Sequence, residues 1–140
     1  MDINTEIAQY LDTQGLLAFD PAGIAGNTFI DLMPDSPDEA VAIMTGAPNS
    51  GDPKHGYDHP GVQFIIRGGR DPRLVKQKAQ DIYDELNGFT NGTFVDNGIW
   101  VVSCFAAQSG PIRLGLDQNN RFEYSINFDL EIRNLTKHRE

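Results

Sequence analysis

Pro60-Gly61-Val62-Gln63-Phe64-Ile65-Ile66-Arg67-Gly68-Gly69-Arg70-Asp71-Pro72, running on to Gly88, decides how this chain folds. Val62, Phe64 and Ile66 alternate with Gln63, Ile65 and Arg67, the period of a mostly buried strand. Gly68 and Gly69 end that pattern and permit a turn. Asp71 then stands where a helix N-cap belongs, with Pro72 at the first helical position. Val75, Ala79, Ile82 and Leu86 follow at steps of four, three and four, so they share one helical face, which Leu74 and Tyr83 are expected to widen. Asn87-Gly88 supplies the stop. A strand and an amphipathic helix joined by a tight turn form a layer that needs more sheet beside it.

The flanks are expected to supply that sheet. Ile3, Ile7, Tyr10 and Leu11 have helical spacing, which predicts a first helix over 2–14 ended by Gly15. Asn27–Met33, with Ile30 and Leu32 inward, and Glu39–Thr45, with Val41 and Ile43 on one face, read as two strands. The Pro34–Asp38 turn between them suggests a hairpin with an acidic tip. Gly92–Val95 and Ile99–Ala107 flank a turn at Asp96-Asn97-Gly98. The near-continuous apolar run Ile99–Ala106 reads as a central strand covered on both faces. Pro111–Gln118 reads as a connection. Phe122, Tyr124, Ile126, Phe128, Leu130 and Ile132 then alternate with polar residues from Arg121 to Arg133, a long strand with one face buried and one wet. The polar tail 134–140 is expected to fray. The expected fold is a single α+β domain over 1–140: a largely antiparallel sheet, two helices on one face and an extended β-hairpin.

The chain has 140 residues, the size of one ordinary domain, and its 39% hydrophobic content suffices for one core. No apolar run approaches the roughly 20 residues of a membrane span, so no membrane partner is expected. The N-terminus lacks a basic flank followed by an apolar core and does not read as a signal peptide. Cys104, with Val102 and Phe105 near it, is the only cysteine; it reads as a buried thiol, and no internal disulfide is possible. These features fit a reducing cytoplasm. The net charge is −9, and residues 1–60 account for it with ten acidic side chains against one base, Lys54; residues 61–140 balance. Such a surface repels phosphate within a Debye length of about 10 Å, which argues against tight nucleic-acid binding.

Little in the sequence can be assembled into a catalytic site, and an enzyme is not expected. Ser103 and Cys104 lie in an apolar strand, and no Gly-x-Ser-x-Gly elbow occurs. His55, Asp58 and His59 are the one cluster with metal-ligand chemistry, but the Gly/Pro-rich loop 46–60 gives them no rigid support. No metal or other cofactor is therefore expected. Arg67-Gly68-Gly69-Arg70 lacks the lysine and spacing of a phosphate loop, and its arginines read as exposed. The loop 46–60 is the longest irregular stretch, and its Lys54, His55, Tyr57, Asp58 and His59 are candidates for contact with a partner.

The helix after Asp71 has bases in its first half (Arg73, Lys76, Lys78) and acids in its second (Asp81, Asp84, Glu85), the reverse of what the macrodipole favours by about 0.3–1 kcal/mol per well-placed charge. One explanation is internal pairing of Lys78 with Asp81 at i+3. The other is that each end meets opposite charge on a neighbouring subunit in a head-to-tail contact, which makes Arg67, Arg70, Arg73, Lys76, Lys78, Asp81, Asp84 and Glu85 interface candidates.

Two stretches together resemble a known family. One is Tyr57-Asp58-His59-Pro60-Gly61-Val62-Gln63-Phe64-Ile65-Ile66-Arg67-Gly68 with the Ala79–Leu86 helix face. The other is Pro111-Ile112-Arg113-Leu114-Gly115-Leu116-Asp117, then Arg121 and the Tyr124–Phe128 strand with Asn127. Their order and spacing, from about residue 25 to 133, are similar to the minor capsid or tail-terminator proteins of long-tailed bacteriophages. The resemblance implies a virion protein, assembled in the host cytoplasm, that forms a ring, usually a hexamer, at the head-proximal end of the tail. Such a ring caps the tail tube, stops its polymerisation and joins tail to head. Its partners would be further copies of itself, the tail-tube protein and a head-completion or neck protein, with genomic DNA passing through unbound. The resemblance carries over no catalytic residues. Asp31, Asp35, Asp38 and Glu39 are then expected to line the central opening, where carboxylates would keep DNA free to slide. The alternatives are another neck or tube component and, in a different class, a small metal-dependent hydrolase built on His55, Asp58 and His59.

Overall fold

A computed structural model describes residues 2–140. Helix α1 spans Ile3–Thr13, and Asp2 caps it by accepting from the Thr5 amide at 2.8 Å. Helix α2 spans Pro72–Leu86 with Asp71 as its cap and Pro72 in its first turn. The strands are β1 (Thr28–Ile30), β2 (Ala40–Thr45), β3 (Tyr57–Asp58), β4 (Gly61–Arg67), β5 (Phe89–Thr93), β6 (Trp100–Ala106), β7 (Ile112–Leu116) and β8 (Phe122–Arg133). They form one sheet in the order β1-β2-β4-β8-β6-β5. β8 is its spine: β4 and then β3 pair along one edge, and β7 and then β6 along the other.

The alternating residues read from the sequence are the core. Val62, Phe64, Ile66, Ile126, Phe128 and Leu130 are buried, and Val75, Ala79, Ile82 and Leu86 of α2 and Ile7 and Leu11 of α1 join the same cluster. Both helices therefore lie on one face of the sheet. They meet each other where the Tyr10 hydroxyl donates to Glu85 at 2.7 Å. Burial, reinforced by that carboxylate, pushes the Tyr10 phenol up to about 12. The turn between β4 and α2 is tight: a Cβ on Gly68 would collide with a Val75 methyl, so only glycine lets the helix sit this close.

Several expectations are corrected. β1 and β2 pair in parallel, Thr28 with Val41 and Ile30 with Ile43, so they form no hairpin. Instead, residues 31–39 cross back as a strap. Asp31 turns the chain in a left-handed conformation (φ 55°) and accepts from the Thr45 amide at 2.6 Å. Leu32 is thrown outward rather than into the core. The stretch read as a connection instead supplies β7, which forms a hairpin with β8 and carries a bulge between Arg113 and Gly115. β6 is flanked by strands on both sides but covered on one face only: Trp100 and Phe105 are 47% and 52% exposed, and a bulge between Val101 and Ser103 resets its register. β5 begins at Phe89, three residues before the expected start. Leu74 is 69% exposed because it lies about 100° around the helix from Val75. The tail folds back on the 46–60 loop rather than hanging free: the Asn134 and Glu140 amides donate to the Gly56 and Lys54 carbonyls at 2.6 and 3.0 Å.

Candidate functional site

Three surfaces hold the residues singled out by the sequence. The first is the strap. Arg67, expected to be exposed at a subunit contact, is instead 4% exposed. Its Nε donates to the Asp38 carbonyl at 3.0 Å and its Nη2 to the Pro37 carbonyl at 2.6 Å. Arg121, read from the sequence as a residue of the wet face of the long strand, is instead 7% exposed and is the second anchor. It donates to Asp117 at 2.8 Å, to the Asp38 and Asp35 carboxylates at 3.2 Å each, and to the Asp35 carbonyl. Arg67 and Arg121 alternate out of phase with the core residues of β4 and β8, so the strap lies on the helix-free face. A cleft of about 280 Å³ lies between strap and hairpin. Glu123 lines it, and burial, with Asp117 nearby, raises its carboxyl above the usual range. The only advance sign of this cluster was a polar Arg121 opening a long alternating strand.

The four acidic residues expected to act together are divided by this geometry. Asp31 sits at the Thr45 end of β2. Asp35, Asp38 and Glu39 gather at the Ala40 end, about 17 Å away at 3.3 Å per residue. Asp35 and Asp38 keep most of their carboxylate surface in solvent while touching Arg121.

The second surface is the 46–60 loop. Tyr57–Asp58 pairs with β8, and Asn49 bridges to His59, so the loop's second half is built onto the sheet. Arg139 grips Asp58 with two hydrogen bonds of 2.7 and 2.9 Å, and the Asn134 side-chain amide adds a third at 3.0 Å. The Arg139 hydrogen bonds, then that from Asn134, hold the Asp58 carboxyl down at about 2. The Arg133 guanidinium lies 4.9 Å from the centroid of the Tyr57 ring and donates to its hydroxyl at 3.0 Å. Asp58 is thus committed to an arginine. Among the described residues no group of three or more His, Cys, Asp or Glu is placed to hold a metal ion. Cys104 is buried, and that burial pushes its thiol up to about 12.

The third surface is α2. Its acidic end is largely satisfied within the chain: Gln77 donates to Asp81 at 2.8 Å, Gln80 to Asp84 at 2.9 Å, and Tyr10 to Glu85. The expected Lys78–Asp81 pair does not form. Arg73 pairs with the cap Asp71 at 3.2 Å, whereas Arg70, Lys76 and Lys78 make no ion pair among the described residues. Leu74 stands exposed among these cations.

In these three surfaces the ordered polar groups hold loops and the chain's tail in place. In solved structures, a chain of the virion of a native gene transfer agent particle shares the fold, with a TM-score of 0.60, 14% identity and 94% of each chain covered. No curated protein sequence matches. A family profile described as bacteriophage tail terminator protein matches residues 10–134, and the chain belongs to that family.

Proposed function

We propose that this protein is a non-catalytic virion component that assembles into a ring, six copies in number, on the head-proximal end of a phage tail. There it caps the tail tube, stops its growth and presents a joining surface to the head. The observation that carries this reading is the tail-terminator match across residues 10–134. Physical features support it. All of the net charge of −9 lies in residues 1–60, so a ring can pass DNA without gripping it. We narrow the lumen candidates to the cluster Asp35, Asp38 and Glu39, because Asp31 stands apart from them. The loop 46–60, bearing Lys54, His55, Tyr57 and His59 around the anchored Asp58, is the proposed contact for the tube or neck protein.

The test is assembly. Light-scattering mass and negative-stain images of the purified protein, alone and with tail tubes, should show rings with a central opening. Particles made without the protein should carry tubes of uncontrolled length and no heads. Tubes of normal, uniform length in its absence would overturn the reading.

A further inference from the structure

The first half of α2 and the turn before it leave both charge (Arg70, Lys76 and Lys78) and apolar surface (Leu74) without an ion-pair or core partner among the described residues. A pocket of about 410 Å³ opens between β4, the Gly68–Arg70 turn and α2. Ile66, Val75 and the exposed Leu74 give it apolar walls, and its charged lining is three bases, Arg67, Arg70 and Lys78, against two acids, Glu39 and Asp71. Lys78 is half-buried and burial lowers its pKa, the situation of a cation that lacks a close carboxylate; Glu39 offsets this only in part. The acids at the other end of α2 already have donors within the chain, so the basic end is the part left for a partner.

The complementary surface lies on the same chain. Ile24 is 89% exposed, the most exposed large apolar side chain among the described residues. The loop that carries it is rigidly built. The Asp20 carboxylate accepts from the amides of Ala22, Ile24 and Ala25 at 2.9, 3.2 and 2.9 Å. Phe19 bridges to Gly26, and the Asn27 amide donates to the Ala18 carbonyl at 2.9 Å. At Gly26 (φ +86°) a Cβ would lie 2.7 Å from the Ala18 carbonyl oxygen. Displaying an apolar tip on a loop already ordered removes much of the entropic cost of docking it. Helix α1 and this loop carry acids and no base, so their field is opposite in sign to that of the pocket rim.

We infer that the pocket at the start of α2 receives the Ile24 loop of a second copy of this chain. The contact joins two different patches, so it propagates head to tail and suits a ring. It deepens the ring reading proposed above and rests on it. DNA is the competing occupant of a basic surface. It is disfavoured by the apolar walls, by Leu74 in the middle of the cations and by the chain's net negative charge.

Cysteine trapping tests this contact directly, because the one native thiol is buried. Two separate proteins, one Ile24→Cys and one Leu74→Cys, are mixed and oxidised mildly. The expected product is a mixed disulfide dimer, well above that formed when Leu135→Cys replaces Leu74→Cys. In parallel, the Arg70→Glu, Lys76→Glu double variant should weaken self-association roughly tenfold at low salt, and the difference should shrink as salt is raised. Rings without the Ile24–Leu74 crosslink would overturn the contact and leave the ring reading standing. Failure to form rings even on tail tubes would overturn both. Charge reversal that releases the protein from double-stranded DNA, with self-association unchanged, would reassign the patch to DNA.

Discussion

Truncation of Phe128 to alanine tests which face of the spine strand is the core. Phe128 is 1% exposed, and its ring meets that of Phe64 edge to face, with centroids 5.8 Å apart and an interplanar angle of 80°. Replacing a buried phenylalanine by alanine costs about 3–5 kcal/mol in lost transfer energy and cavity formation. The edge-to-face pair accounts for about 0.5–1.5 kcal/mol of that loss. Asn127, one residue earlier, points to the helix-free face and makes no side-chain hydrogen bond among the described residues. Its carbonyl accepts from the Ala107 amide at 2.8 Å, a bond that alanine keeps, so Asn127→Ala should cost under about 0.5 kcal/mol. An unfolding entropy of roughly 2.1 cal/mol/K per residue amounts to about 0.3 kcal/mol/K for 140 residues. The Phe128 variant should therefore melt about 10–17 °C lower and the Asn127 variant within about 2 °C of the parent. Urea and thermal unfolding are read by circular dichroism at several protein concentrations, because self-association would raise the apparent stability of all three proteins. Equal losses in the two variants, or a Phe128 loss under about 1 kcal/mol, would refute the face assignment.

Arg121→Ala should release the strap, read as faster amide exchange across residues 31–39 than in the rest of the sheet; unchanged protection would show that Arg67 alone suffices. The Asp58 carboxyl is held at about 2, below its unfolded value near 3.9, so its pairing with Arg139 stabilises fully above about pH 4 and is lost as pH falls through about 2. Protection of the Asn134 and Glu140 amides should fall across that window, and Asp58→Asn should abolish the pH dependence. Limited proteolysis near Lys54 should be slower in the assembled ring than in the free subunit; equal rates in both would remove the loop from the interface. Cys104 should resist thiol reagents at about pH 8 until the protein unfolds, and rapid labelling of the native chain would contradict its burial.

What could be read before any tertiary structure was whatever the chain decides locally. Asp71-Pro72 starts a helix wherever that segment is placed, and Val75, Ala79, Ile82 and Leu86 define its buried side by spacing alone. The alternations Val62–Ile66 and Phe122–Ile132 assign faces in the same way, because side chains alternate along any strand. The order of the Tyr57–Gly68 and Pro111–Phe128 motifs carried the family resemblance that the comparison over residues 10–134 bears out. Alternation is blind to direction and partner, however. Nothing in Asn27–Met33 says whether it runs parallel or antiparallel to Glu39–Thr45, since the pairing is set by where the strap lies. The strap is held by Arg67 and by Arg121, which stands 83 positions beyond the Asp38 it grips. Long-range ion pairs, the covered face of β6 and the return of Arg139 to Asp58 likewise exist only once distant segments meet. The local code determined the helices, the core faces and the family; strand direction, the buried arginines and the surfaces left free for partners were decided by the tertiary structure, because each depends on contacts between residues that no local pattern links.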